Sequence, residues 1–353
     1  MSATGLIDWS LAGSVARSVA GRGSGKRSVR RPDLARAARG SSGLVRRYTG
    51  LEPRGRLPSP ELVDRHQWIE ANLVSLRAVS ARVEERLADL LDLPGPFGGA
   101  LRRAGGAAAA VELGLISGYL AQRVLGQYDV ALIGPPRPAR LLFVAPNLAE
   151  ARRRLDVDRE PFLRWIALHE STHAVQFGTV PWLREHLGNL GEELLDGAFA
   201  RVNVRELAAT ARRALGTDPR RLFGAIRDGE WVSPFVGEPR RRLLDQLQAT
   251  MTVIEGYSEH VMDGVGAELD SSYRELRERV ERSRARRSPI EALLSRLLGV
   301  EMKLRQYRLG KAFCDEVAER RGLRVLNRVW EEPAKMPRQP ELERPGRWLA
   351  RVG

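Results

Sequence analysis

Apolar residues recur at helical spacing through most of the chain. Between Asp64 and Leu91, the positions Trp68, Ala71, Leu76, Val79, Val83, Leu87 and Leu91 follow one face of a helix. The Leu93-Pro94-Gly95-Pro96 cluster predicts its end. An Ala/Gly-rich stretch from Ala100 to Leu125 predicts a second helix, buried and in close backbone contact with a neighbour. From Asp158 to Phe177 an Asp cap, an early Pro161 and Gly178 beyond the end frame a third. After Pro239, Leu243, Leu247, Met251, Ile254, Val261 and Val265 mark the apolar face of a long helix. Another follows Pro289 to about Arg320, before a Pro-rich tail from Pro333. Only Arg140–Ala145, a short apolar run closed by Pro146-Asn147, reads as a strand. The pattern contains no repeat and predicts a mainly α fold with a small β-sheet (α+β).

Composition changes this picture little: 43% hydrophobic and 29% charged residues are those of a globular protein. The single cysteine, Cys314, excludes an intrachain disulfide and a multi-cysteine metal cluster. Charge adds a division. Residues 1–60 hold 12 Lys and Arg against 3 Asp and Glu, most of the net +14. They read as a basic, partly flexible N-terminal segment before one helical domain over residues 61–353. No aromatic residue lies between Arg22 and Arg47, which argues against a nucleic-acid partner. The start lacks a continuous apolar core of a signal peptide. Gly105–Ala121 is too short and carries Glu112, so no transmembrane segment is expected and the cytoplasm is the expected location.

The chemistry concentrates in Leu168-His169-Glu170-Ser171-Thr172-His173. Histidines four apart on a helix project from one face and can share a cation, and Glu170 beside them can take a proton from an activated water. Composition alone produces H-E-x-x-H about once in two hundred such chains. A catalytic zinc needs a third protein ligand. Ile254-Glu255-Gly256-Tyr257-Ser258-Glu259-His260 sets two carboxylates and a histidine on an otherwise apolar helix. Glu255 and Glu259 share a face, so one can bind the metal while the other orients a ligating histidine. Spacing leaves open which does which. His186, 13 residues after His173, is an alternative third ligand. Tyr257 and His260 are the nearby candidates for stabilising an oxyanion.

His169-Glu170-x-x-His173 with Glu255-Gly256-Tyr257-Ser258, 82 residues beyond His173, resembles the gluzincin type of zincin metallopeptidase. The resemblance implies Glu255 as the metal ligand and Glu259 as the carboxylate that orients a zinc histidine. The chain is also similar to the actinobacterial zincin-like family labelled as associated with coenzyme F-420 biosynthesis, a family described as hydrolases. That similarity rests on Ile7-Asp8-Trp9, Tyr48-Thr49-Gly50-Leu51, Arg123–Asp129, Val180–Leu187, Lys303–Tyr307 and Leu326–Glu331. It implies a zincin-like fold elaborated with extra helices. Gly21–Gly43 and the arginine-rich Arg274–Arg287 carry no feature of that family.

Together these residues lead to the expectation of Zn2+ held by His169, His173 and Glu255, with Glu170 as general base in hydrolysis of a peptide or protein amide. The strand at Arg140–Ala145 leaves two readings open: an edge for an extended substrate, or a buried structural strand. The competing reading is a zinc-bearing scaffold without turnover, serving deazaflavin coenzyme biosynthesis.

Overall fold

Three short strands form one sheet: Pro60–Val63 (β1), Gly126–Asp129 (β2) and Arg140–Val144 (β3), in the order β1-β3-β2. β1 runs parallel to β3 with Val63 opposite Val144, and β2 runs antiparallel with Tyr128 opposite Leu141. The apolar run of β3 is thereby explained, because a central strand is covered on both faces. Leu141 and Phe143 face the main core, while Leu142 and Val144 face a second, smaller one. β3 is bonded on both sides, so of the two readings the buried structural strand holds and the edge does not. The edge strands β1 and β2 gave no periodic signal. Each has four residues, one opens with Pro60 and the other is the polar Gly-Gln-Tyr-Asp.

The computed structural model describes residues 6–21, 23, 29–90, 98–199, 238–267, 271–285 and 300–353. The rest is helical: Trp9–Ala20 (α1), Arg31–Thr49 (α2), Arg65–Leu90 (α3), Gly98–Ala121 (α4), Ala145–Leu155 (α5), Arg159–Thr179 (α6) and Pro181–Phe199 (α7). Then come Glu238–Ala267 (α8), Ser271–Ala285 (α9) and Val300–Arg321 (α10), with short helices at Leu323–Leu326 (α11), Gln339–Leu342 (α12) and Pro345–Val352 (α13). The Leu93-Pro94-Gly95-Pro96 break and Pro289 lie outside the described residues.

The main core gathers α2, α6, α7, α8, α10 and the C-terminal turns around β3. Within the basic N-terminal stretch, α2 buries Leu34, Ala38, Ser41, Val45 and Thr49 and leaves its arginines outside. α4 makes the close contact its composition implies. A Cβ on Gly114 would lie 2.7 Å from Ala12 O, and one on Gly118 would lie 2.6 Å from Ala16 O, so α1 rides on a glycine seam. The opposite face of α4 leaves Leu115 half-exposed. No helix among the described residues is long and apolar enough to cross a membrane.

Pro146-Asn147, read as closing a strand, follows the end of β3 at Val144 and also opens α5, with proline in the first turn. Buried Asn147 donates to Ala121 O and Val124 O and accepts from Arg65 Nε, tying α5 to α4 and α3. α6 runs through Gly178, which lies inside the last turn. A Cβ there would sit 3.1 Å from Pro53 Cβ, so this glycine serves packing.

Candidate metal centre

α6 builds the first half of the site. From Glu170 to Gln176 every residue is buried, so its polar side chains need partners inside the protein. One helical turn apart, His169 and His173 place their Nε2 atoms 3.3 Å from each other, with the rings edge to face at 84°. α8 packs on α6 and supplies Glu255. Its Oε2 lies 3.8 Å from His169 Nε2 and 3.4 Å from His173 Nε2. One donor atom from each of the three residues falls within 4.8 Å of the others. Tetrahedral bonds of about 2.0–2.2 Å set neighbouring donors about 3.3–3.6 Å apart. Two of the three separations fall in that range and the third, His169 to Glu255, is 3.8 Å, so the trio can hold a small metal ion. His169 keeps 22% of its side chain exposed, against 11% for His173, so the site is reached past His169.

The chemistry of His173 is fixed from behind. Gln176 donates its amide N–H to Ile254 O at 3.1 Å, which turns its Oε1 toward His173 Nδ1 at 3.0 Å. An amide oxygen only accepts, so Nδ1 carries a proton and Nε2 is the nitrogen left to ligate a metal once it gives up its own. Ser258 Oγ donates to Ile254 O and lies 3.3 Å from the same Nδ1. Burial alone would lower the pKa of His173. The Glu255 carboxylate, by charge and hydrogen bond, outweighs it and lifts the ring to about 9. Neither Gln176 nor Ser258 was singled out from sequence. The usable signal is spacing: each lies three residues after a proposed ligand, on its face of the helix.

Glu170 is held by the sheet. The backbone N–H of Tyr128, on β2, donates to Glu170 Oε2 at 3.0 Å. That bond draws the carboxylate against the strand at Gly126, where a Cβ would fall 2.7 Å from Glu170 Cγ and 2.9 Å from its Cδ. No residue larger than glycine fits there without moving the acid.

The remaining sequence candidates separate. Glu259 is buried and receives Arg277 Nη1, and Arg277 Nε also reaches Asp263 at 3.2 Å. Arg277 belongs to the stretch that sequence left without a role. Tyr257 is buried. Its hydroxyl donates to Asn327 Oδ1 at 2.7 Å in the main core, its ring meets Trp330 edge-on, and burial pushes its pKa far up. Two residues along a helix from Glu255, it faces the other way. His260 is likewise engaged, Nδ1 with Asp315 Oδ1 at 2.7 Å and Nε2 with the Tyr48 hydroxyl at 3.2 Å. His186 stacks edge-on against Trp182 in α7, outside the trio.

The family model for zincin-like metallopeptidases matches residues 7–349. The chain belongs to that family. It is also similar to a solved structure from Chloroflexus aurantiacus, described as "a putative hydrolase with a novel fold". Identity is 30%, 98% of each chain is covered and the TM-score is 0.69. No curated protein matches. Family and neighbour both support a hydrolase.

Proposed function

We propose that this zincin-like protein is a zinc-dependent hydrolase of a peptide or related amide, working in the cytoplasm. One observation carries the reading: the donors of His169, His173 and Glu255 meet at separations of 3.3 to 3.8 Å, with Glu170 next to the first of them. Zinc supplies Lewis-acid polarisation of a carbonyl and lowers the pKa of water to about 7.

The chain's own groups do the rest. Gln176 keeps His173 in the tautomer that ligates. With His173 Nδ1 already engaged, Glu259 is assigned to orient His169. Glu170, carried on β2 through Tyr128 N–H, takes the proton of the attacking water and returns it to the leaving amine. β2, an edge of the sheet and in contact with Glu170, takes the substrate-aligning role that the buried β3 does not. Tyr257 and His260 are not assigned to the oxyanion.

Glu170→Gln tests the reading. We expect zinc content equal to wild type and peptide hydrolysis reduced by about 10²–10⁴-fold, the usual worth of a general base. Unchanged turnover, or wild-type protein that takes up no zinc, overturns it. Zinc bound without any turnover by wild type selects the scaffold instead.

A further inference from the structure

A second cleft lies between α2 and the first turns of α6, with a volume of about 630 Å3, within the range of small-molecule sites. Arginines dominate its walls: Arg30 just before α2, Arg36, Arg39 and Arg47 from α2, and Arg159 and Arg164 from α6. Two carboxylates stand among them, and each is occupied. Asp33 takes Arg30 at 2.9 Å, and Glu160 takes Arg164 at 3.0 Å. Arg36, Arg39 and Arg47 make no ion pair or hydrogen bond among the described residues.

Three guanidinium groups held on one helix face repel one another, and a counter-anion relieves that repulsion. The cleft is open because α2 carries Gly40 and Gly43 on this face, and a Cβ built on Gly40 meets nothing within 4 Å. Ala37, Leu44 and Leu163 give the cleft an apolar lining.

We propose that this cleft binds a free, phosphate-bearing small molecule, its oxygens paired by Arg36, Arg39 and Arg47. Guanidinium forks match phosphate oxygens in pairs. The site is separate from the metal centre and does not depend on it.

The test is calorimetric titration of the full chain, with and without zinc, using inorganic pyrophosphate as probe. We expect one saturable site per chain in both forms. Replacing Arg36, Arg39 and Arg47 by alanine together should weaken it at least about tenfold, since bonds to charged groups carry that weight. Replacing the exposed Arg153, Arg154 and Arg324 instead should leave it intact. Gly40→Phe blocks the cleft without changing charge and should abolish binding, with the circular dichroism spectrum and melting temperature reporting that the chain is folded. The proposal is overturned by absence of saturable binding, by equal losses in the two triple variants, or by folded Gly40→Phe protein that binds normally. It is equally overturned if single-stranded DNA or phosphatidylserine vesicles bind through these arginines while pyrophosphate does not.

Discussion

Gly126 and Glu170 are in van der Waals contact across β2 and α6, and the contact leaves no room for a methyl group on the glycine. Gly126→Ala therefore moves either the carboxylate or the strand that holds it. We expect zinc content to persist, hydrolysis to fall by about ten- to a hundredfold, and stability to drop by about 1–3 kcal/mol, as overpacked sites do. Metal analysis, turnover and urea unfolding of the one variant separate these effects.

His173 and Glu255 predict a proton count. The metal-free ring, lifted to about 9, is largely protonated at about pH 7.5, whereas a ligating ring is not. Zinc uptake at that pH should release about one proton from this histidine. Calorimetry in two buffers of different ionisation enthalpy measures it, and proton release should shrink as pH approaches and passes about 9.

Stability follows the same group. Its folded pKa lies above the ordinary 6.5, so its contribution to the metal-free fold is complete below about pH 6.5 and is lost as pH rises through about 9. Urea midpoints of metal-free protein should decline across that window. In Glu255→Gln, which lacks the attracting charge, that decline should be much smaller.

Gln176→Leu removes the acceptor at His173 Nδ1 and the link to Ile254 O. Outer partners of metal histidines are worth about 10–100-fold in affinity, and a loss in that range is expected in a competitive zinc titration. Glu255→Ala should abolish tight binding, while Glu259→Ala should weaken it by a similar 10–100-fold. Loss confined to Glu259→Ala would reverse the assignment of the two carboxylates.

Tyr257→Phe distinguishes core from catalysis. The hydroxyl bonds Asn327, which itself donates to Thr49 O, so its removal should cost about 1–2 kcal/mol of stability and leave turnover of the loaded enzyme within about twofold.

The helices that form the site were legible in the sequence. α6 and α8 carry their apolar positions at helical period, and H-E-x-x-H needs only a helix to bring its histidines together. Two carboxylates on an apolar helix pointed to the Glu255 segment, but the choice of Glu255 over Glu259 was implied by resemblance alone, and no local rule spans the 82 residues from His173. What escaped reading follows physical causes. β1 and β2 are too short and polar to show a period of two, so the sequence could not decide whether β3 was an edge or the buried centre. The amphipathic pattern of α2 is masked by arginines and small residues, with Ala38 and Ser41 on its buried face. Helix geometry already pointed Tyr257 away from the face of Glu255, and its bond to Asn327 in the core agrees with that. The partners of His173 and Glu170 were invisible for another reason: they are an amide and a backbone N–H, and neither residue type signals chemistry by itself.

The placement of the ligands on α6 and α8 has a thermodynamic corollary. An ion shared by His173 and Glu255 ties off a long loop, and the entropy of closing a loop grows only logarithmically with its length. The disordered chain can offer the two neighbouring histidines but almost never the distant carboxylate, so its grip on the ion is weak. Zinc would therefore act as a clasp that discriminates native from denatured chains. Chelation should then lower the melting temperature of the whole molecule rather than merely silence one corner of it.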